Sequence, residues 1–254
     1  MLKQSYFKMK AVILAAGAGT RLQKILNGDP KPLLEIRGRP MLEYSLEAIF
    51  SSGIKEATIA VGYRKERIIN RFGERFQDVM ISYSENPRYT DSGSMHSLFL
   101  SFEHPEDCLV LDGDIIYDKR IIPRLLQHPK KDAVILSPCS GSGDEVYITL
   151  DYQKQMVYLG KKKPKIPVDE FTGISKFSAE FMQQMFEIHR GETLKNNFSL
   201  YYEDCAFLAS KKLPWQGISQ EFAWAEIDKP EDIERAEKVL SRINRYPAPQ
   251  MLLN

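Results

Sequence analysis

Ala11-Val-Ile-Leu-Ala-Ala-Gly17-Ala-Gly19-Thr20-Arg21-Leu22 is an apolar run of strand length that empties into a glycine-rich turn. In a turn of this kind the N–H groups of Ala15, Ala16, Gly17, Ala18, Gly19 and Thr20 can wrap a polyphosphate. Arg21 adds a planar fork able to hold phosphate oxygens bidentately. A short distance on, Asp29-Pro-Lys31-Pro-Leu33 sets a lysine between prolines that restrict the local backbone and so aim its ammonium. Together the two segments are equipment for holding a nucleoside triphosphate. Rival loops fail, since GxGxxG needs glycine where Leu22 stands and the Walker pattern needs Gly-Lys-Ser/Thr to close the loop.

Working outward, Pro40 followed by Leu42, Leu46 and Ile49 predicts a helix with proline in its first turn and Gly53 at its C-terminal cap. Ala57–Gly62 and Val79–Tyr83 read as buried strands around a helix over Arg64–Phe76, and this alternation predicts a parallel α/β sheet. A helix over Ser94–Phe102 precedes the strand Cys108–Leu111, which runs into Asp112-Gly113-Asp114. Acids at the carboxyl end of a parallel strand lie where open α/β sheets place their ligands. Both carboxylates can approach one point across Gly113, and hard oxygen ligands suit Mg²⁺. An ordinary Asp-Gly turn is the competing reading, and the phosphate loop upstream favours the metal. Further on, Ala133–Ser137, Val146–Leu150 and Met156–Leu159 are short strands that suggest an antiparallel hairpin. Lys161–Val168 reads as a basic loop, and helices follow over Ala179–His189 and Pro230–Ile243. The expected architecture is a single α/β domain over residues 1–246, with a mixed, mainly parallel sheet flanked by helices. Residues 247–254 read as a linker or the start of a following domain.

The 254 residues carry 35 basic and 34 acidic side chains, a net charge of +1 that gives no global field for nucleic acid or an anionic membrane. Cys108, Cys139 and Cys205 lie far apart without CxxC spacing, which argues against a zinc knuckle and fits a reducing cytoplasm. Lys8, Lys10 and Ala11–Ala18 imitate a signal peptide, but the apolar run is shorter than most secretory cores. No run approaches the about 18 apolar residues that span a bilayer. The expected setting is cytoplasmic, with no membrane partner.

At Gly17-x-Gly-Thr-Arg21 and Pro30-Lys-Pro32 the chain resembles the nucleotidyltransferases that activate sugar phosphates, phosphocholine and phosphonates with NTPs. The resemblance runs from Ala11 through the last helix and implies a Rossmann-like domain using CTP and Mg²⁺. It makes Asp114 the direct metal ligand with Asp112 in support, and likens Trp224-Ala-Glu226-Ile-Asp228 to the acidic motif that closes the metal site. Asp228-Lys-Pro-Glu231 also reads as a capping box for the last helix. Lys31 and Arg21 would steady the departing pyrophosphate. Asn86-Pro-x-Tyr89 and Asp91-Ser-Gly93-Ser94 are similar to the segment that reads the base in cytidylyltransferases, although a turn with a serine cap explains them equally well. Lys161 or Lys162 matches the lysine that meets the acceptor's phosphate, with Lys161 preferred. Catalysis would thus rest on Arg21, Lys31 and Lys161, with no catalytic histidine.

Tyr201-Tyr202-Glu203-Asp204 looks like the aromatic and acidic stretch that faces the acceptor amine in phosphocholine cytidylyltransferases. Core packing is the rival reading for both tyrosines. Asp144, Glu145, Asp169 and Glu170 are less specific candidates. The closest family resemblance is to the 2-aminoethylphosphonate cytidylyltransferases. Gln250-Met-Leu-Leu-Asn254 resembles the opening of 2-aminoethylphosphonate transaminases and would suit a domain fused to, or paired with, such an enzyme. Phosphocholine cytidylyltransferase, sugar-1-phosphate nucleotidylyltransferase and a nucleotide-sensing domain without catalysis remain the alternatives.

Overall fold

Ala11 and Ile13 pack into one hydrophobic cluster and Val12 into another, so the first strand is buried on both faces and reads as a continuous apolar run. The computed structural model describes residues 9–245. In chain order the first half holds β1 (Lys10–Leu14), α1 (Gln23–Leu26), β2 (Glu35–Ile36), β3 (Arg39–Pro40), α2 (Met41–Ser52), β4 (Glu56–Val61), α3 (Lys65–Phe72), β5 (Arg75–Phe76), β6 (Val79–Glu85) and α4 (Ser94–Leu100). The second half holds β7 (Cys108–Asp112), β8 (Ile115–Tyr117), α5 (Ile121–Gln127), β9 (Ala133–Ser137), β10 (Tyr147–Leu150), β11 (Met156–Gly160), β12 (Asp169–Phe177), α6 (Ala179–Thr193), α7 (Tyr202–Ala209), β13 (Gln216–Ser219), β14 (Trp224–Glu226) and α8 (Pro230–Arg245).

β1 lies between β4 and β7, parallel to both, with Ala11 opposite Ala57 and Leu109, and β6 extends this parallel core beyond β4. β12 then pairs antiparallel with β7, β9 and β10, which makes the sheet mixed but mainly parallel at its centre. The strands' alternating side chains divide between two layers. Leu109, Leu111 and Ile135 join Leu46 and Ile49 of α2 on one face, while Cys108, Val110 and Val134 join Phe181 and Met185 of α6 on the other. A third cluster seats α8 through Ala236 and Leu240 against Leu22, Ile36 and Ile116. No helix among the described residues is long and apolar enough to cross a membrane.

The expected strands and helices are present, with shifted ends. Pro40 stands just before α2 rather than in its first turn, and Gly53 closes that helix at φ 86°. α3 stops at Gly73, and Arg75–Phe76 pairs back on β6 as a short strand instead of prolonging the helix. Besides β5, the unforeseen elements are α1, β2, β3, α5, β8, β12, β13, β14 and α7. β12 is the longest strand and is almost wholly buried, including Thr172, Ser175 and Lys176. Its polar residues disguise it, because their partners are distant: Thr172 donates to the Ile135 carbonyl and Lys176 to that of His128. The tail Gln250–Asn254 lies outside the described residues.

Candidate active site

β1, β4 and β7 end side by side, and the carboxyl ends of β1 and β7, at Leu14 and Asp112, line a cleft of about 370 Å³. The glycine loop leaves β1 under control of its neighbour: the Ala15 N–H donates to the Ala60 carbonyl and the Tyr63 N–H to that of Ala16. Ala16, the exposed Gly17 and Arg21 line the cleft. Ala15, Ala18, Gly19 and Thr20 complete the turn. Gly19 adopts φ +59°, and a Cβ there would stand 2.7 Å from the Lys31 Cβ, so glycine is what lets the loop close over the lysine.

Asp112 ends β7, and the N–H of Gly113 donates to the Leu14 carbonyl. β8 and β14 then form a separate antiparallel ribbon with Glu226 opposite Ile115, closed by the Ile227 N–H on the Asp114 carbonyl at 3.0 Å. That ribbon brings Asp114 to Glu226 and Asp228, whose ligand atoms all lie within 4.8 Å of one another. Lys31 donates to Asp114 Oδ2 at 2.8 Å and to Asp228 Oδ1 at 2.5 Å, its ammonium serving as the triad's internal counter-ion. Burial opposes its charge, but the two carboxylates outweigh burial and hold the ammonium above its ordinary range. Burial, reinforced by Asp114 and Asp228, pushes Glu226 up to about 8. Burial also raises Asp112, with Asp114, Glu203 and Glu226 adding to it. Three clustered carboxylate oxygens are the donor set of a hard divalent cation, and the residues present fit Mg²⁺.

Arg21 reaches Asp144 at 3.2 Å and Asp228 at 3.4 Å, and Lys229 holds Asp144 at 2.6 Å. Asp144 lines the cleft, unlike its fellow candidates. Glu145 turns back to the Gly143 N–H and the Tyr147 hydroxyl, Asp169 accepts from Ser219, and Glu170 takes Ser140. The expected capping box at Asp228 is not formed. Asp232 instead accepts from the N–H groups of Asp228 and Lys229, leaving the Asp228 side chain to the lysine and arginine.

The far wall gathers Lys161, Tyr201 and Glu203 with Asn86, Gly93 and Ser94. Tyr201 is 52% exposed, but Tyr202 is fully buried against Phe171 and Phe177, as core packing requires, and is not available to a ligand. Asp204 is consumed as a cap, accepting from the Tyr201 N–H, and Lys162 points to solvent. Burial pushes Glu203 up to about 7, with Asp204 raising it further and Lys161 opposing. Asn86 is buried and committed to Ser92, Ser97 and the Arg88 N–H, so it shapes the wall. Gly93 is required by the chain itself, because a Cβ would lie 2.2 Å from the Leu200 carbonyl oxygen. Ser94 does not cap its own helix and instead accepts from the Tyr202 N–H. Hence α4 and α7 are locked together. His96 and His189, far apart in sequence, meet behind this wall with Nδ1 and Nε2 3.1 Å apart.

Sequence reasoning missed Gly173, where φ is +74° and a Cβ would fall 2.3 Å from Asp112 Oδ2. Its signal was a glycine inside a strand, which marks close backbone approach or a bulge, and the β12 register does shift there. Lys229, which anchors Asp144, carried no local signal.

Residues 11–169 match the model of the MobA-like NTP transferase domain. The chain is 32% identical over 130 residues to the CMP-5'-(3-aminopropyl)phosphonate synthase of Streptomyces rubellomurinus, covering 51% of this chain and 21% of that protein. It is 27% identical over 238 residues to the choline-phosphate cytidylyltransferase of Streptococcus pneumoniae, covering 93% of this chain and 100% of that one. Among solved structures, the CTP:phosphocholine cytidylyltransferase of S. pneumoniae aligns at a TM-score of 0.75 and 23% identity over 92% of this chain and 100% of its own. The inositol-1-phosphate CTP transferase of T. maritima aligns at 0.75 and 19%, over 97% and 100%. Rossmann-like nucleotidyltransferases thus share this sheet. With a family model spanning most of its length, a glycine loop and an acidic triad, the chain belongs to the MobA-like NTP transferase domain family of nucleotidyltransferases.

Proposed function

We propose that this chain transfers CMP from CTP to the phosphonate of 2-aminoethylphosphonate, releasing pyrophosphate. The observation that carries this reading is that Lys161 and Glu203 line one wall of the cleft that also holds the glycine loop and the acidic triad. A cation and a carboxylate on that wall match the anionic and ammonium ends of one small zwitterion. The aminopropylphosphonate synthase among the relatives supports an aminoalkylphosphonate.

In this mechanism a phosphonate oxygen attacks the α-phosphorus of CTP, a new P–O bond forms, and the bond to the β-phosphate oxygen breaks. The attacking oxygen is already ionised near neutral pH, so no general base is needed. Ala16 and Gly17 present the loop to the phosphates, Arg21 and Lys31 stabilise charge on the departing pyrophosphate, and Lys161 holds the acceptor in line. Asp114, Glu226 and Asp228 would hold Mg²⁺, which supplies charge neutralisation between the phosphates when bound.

Tyr201 favours a second reading, phosphocholine, because an exposed aromatic face at the cleft attracts a quaternary ammonium. A turnover panel of CTP, UTP, ATP and GTP against 2-aminoethylphosphonate, phosphocholine and a sugar phosphate, followed by pyrophosphate release, decides between them. We expect CTP with 2-aminoethylphosphonate to be fastest. Faster turnover of phosphocholine at matched subsaturating concentrations overturns the phosphonate assignment.

A further inference from the structure

The β8–β14 ribbon has two ends. One carries Asp114, Glu226 and Asp228. The other, three residues away and about 10 Å at the rise of a strand, opens onto a cleft of about 570 Å³. Arg124 and Arg242, both exposed, line that cleft. Arg120 is neutralised by Asp118 at 2.8 Å, whereas Arg124 makes a single polar contact, to Gln220 at 3.2 Å, and Arg242 forms no ion pair among the described residues. Glu221 is the one other acid on the wall.

Phe222 separates this cleft from a smaller one of about 300 Å³, which Arg242 also lines. Trp224 stacks with Phe222, ring centroids 6.4 Å apart and planes 23° apart, and borders the smaller lobe. Arg235 stands in the same lobe. It pairs with Asp232 at 3.2 Å and donates to the Glu226 carbonyl at 2.9 Å, while its buried Nε has no partner. An unpartnered buried donor is costly unless a ligand satisfies it. Two aromatic faces and a group of guanidinium forks are the chemistry that recognises a base joined to phosphates.

We propose that this double cleft is a second nucleotide site, taking a ligand that carries an aromatic base and two linked phosphorus groups. Its ligand belongs to the same chemical class as the material handled at the other end of the ribbon. Arg235 and β14 tie it directly to the backbone of Glu226, so occupancy here bears on the acidic triad.

CDP serves as the probe, titrated with Mg²⁺ present and followed by equilibrium dialysis and tryptophan fluorescence. The chain has two tryptophans, and Trp215 is sealed in the core, so a quench on the cleft wall reports Trp224. Wild type should bind two equivalents. The double substitution Arg124→Ala with Arg242→Ala removes exposed side chains, should keep the wild-type melting temperature, and should lose one equivalent together with the quench. Arg21→Ala should weaken the other equivalent and keep the quench. Glu221→Gln should tighten the cleft severalfold. Cytidine and pyrophosphate, tested separately, should each bind at least about tenfold more weakly than CDP, the factor that about 1.4 kcal/mol of lost contact represents. No quench in wild type, a quench that survives the double substitution, or pyrophosphate binding as tightly as CDP overturns the proposal. None of these outcomes depends on which base or acceptor the active site prefers.

Discussion

The two walls of the cleft that we propose for nucleotide and acceptor are built in different ways. The first is local: Ala15–Arg21 and Asp112–Asp114 follow directly from β1 and β7, and neighbouring strands pin them by backbone hydrogen bonds. The second is assembled from Lys161, just after β11, and from Tyr201 and Glu203 at the start of α7, which Ser94 of α4 holds in place. Short-range construction makes a wall whose chemistry tolerates few changes. Long-range assembly makes one whose specificity can drift while the fold holds.

Asp114→Asn should show the nucleotide wall at its most brittle. It removes a charge from the triad without changing volume, and turnover should fall about a thousandfold, the several kcal/mol of a weakened metal site, at an unchanged melting temperature. Near-wild-type pyrophosphate release would break the assignment. Lys31→Met should cost about a hundredfold or more in kcat with a smaller change in CTP affinity, since its contact strengthens as charge develops. It should also tighten Mn²⁺ binding in the absence of nucleotide, because the triad loses its internal counter-ion, and an unchanged Mn²⁺ affinity would argue against that role.

The acceptor side is sharpened by pH. Burial, with His96 adjacent, lowers His189 from 6.5 to about 4. Between these values the unfolded chain binds a proton that the native chain does not, so stability is complete above pH 6.5 and is lost as pH falls toward 4. The loss reaches about 3 kcal/mol. Urea melts across that range should show the slope in wild type, and His189→Gln should flatten it. An identical slope in the variant would assign the acid sensitivity to other groups.

Smaller effects separate roles on the same wall. Glu203→Gln should narrow the preference for 2-aminoethylphosphonate over phosphocholine about tenfold, the value of one charge-assisted hydrogen bond, whereas Lys161→Met should weaken both acceptors alike. Equal losses from the two substitutions would refute the division of labour. Smallest of all, Asp232→Ala should cost about 1 kcal/mol of stability by uncapping α8, with turnover little changed, while Asp228→Asn should do the reverse. A melting loss confined to Asp228→Asn would restore the capping role to that residue.

The parts legible in the sequence share one property: their signal and their structure occupy the same few residues. The apolar run of β1, the glycine loop, Pro30-Lys-Pro32 and Asp112-Gly-Asp114 carry their chemistry in order along the chain, and strand–helix alternation determines a parallel core around them. Tertiary structure decided the rest. Tyr202 and Tyr201 are neighbours of the same type, yet packing sends one into the core and leaves the other at the cleft. Asp232 takes the capping role expected of Asp228, whose carboxylate is held by Lys31, 197 residues upstream. Gly173 is held to glycine by its φ of +74° and by Asp112, which arrives above it from another strand. In each case the deciding term is a contact across the fold, and a side chain's own sequence neighbours carry no record of which distant group will desolvate it, pair with it or occupy its space.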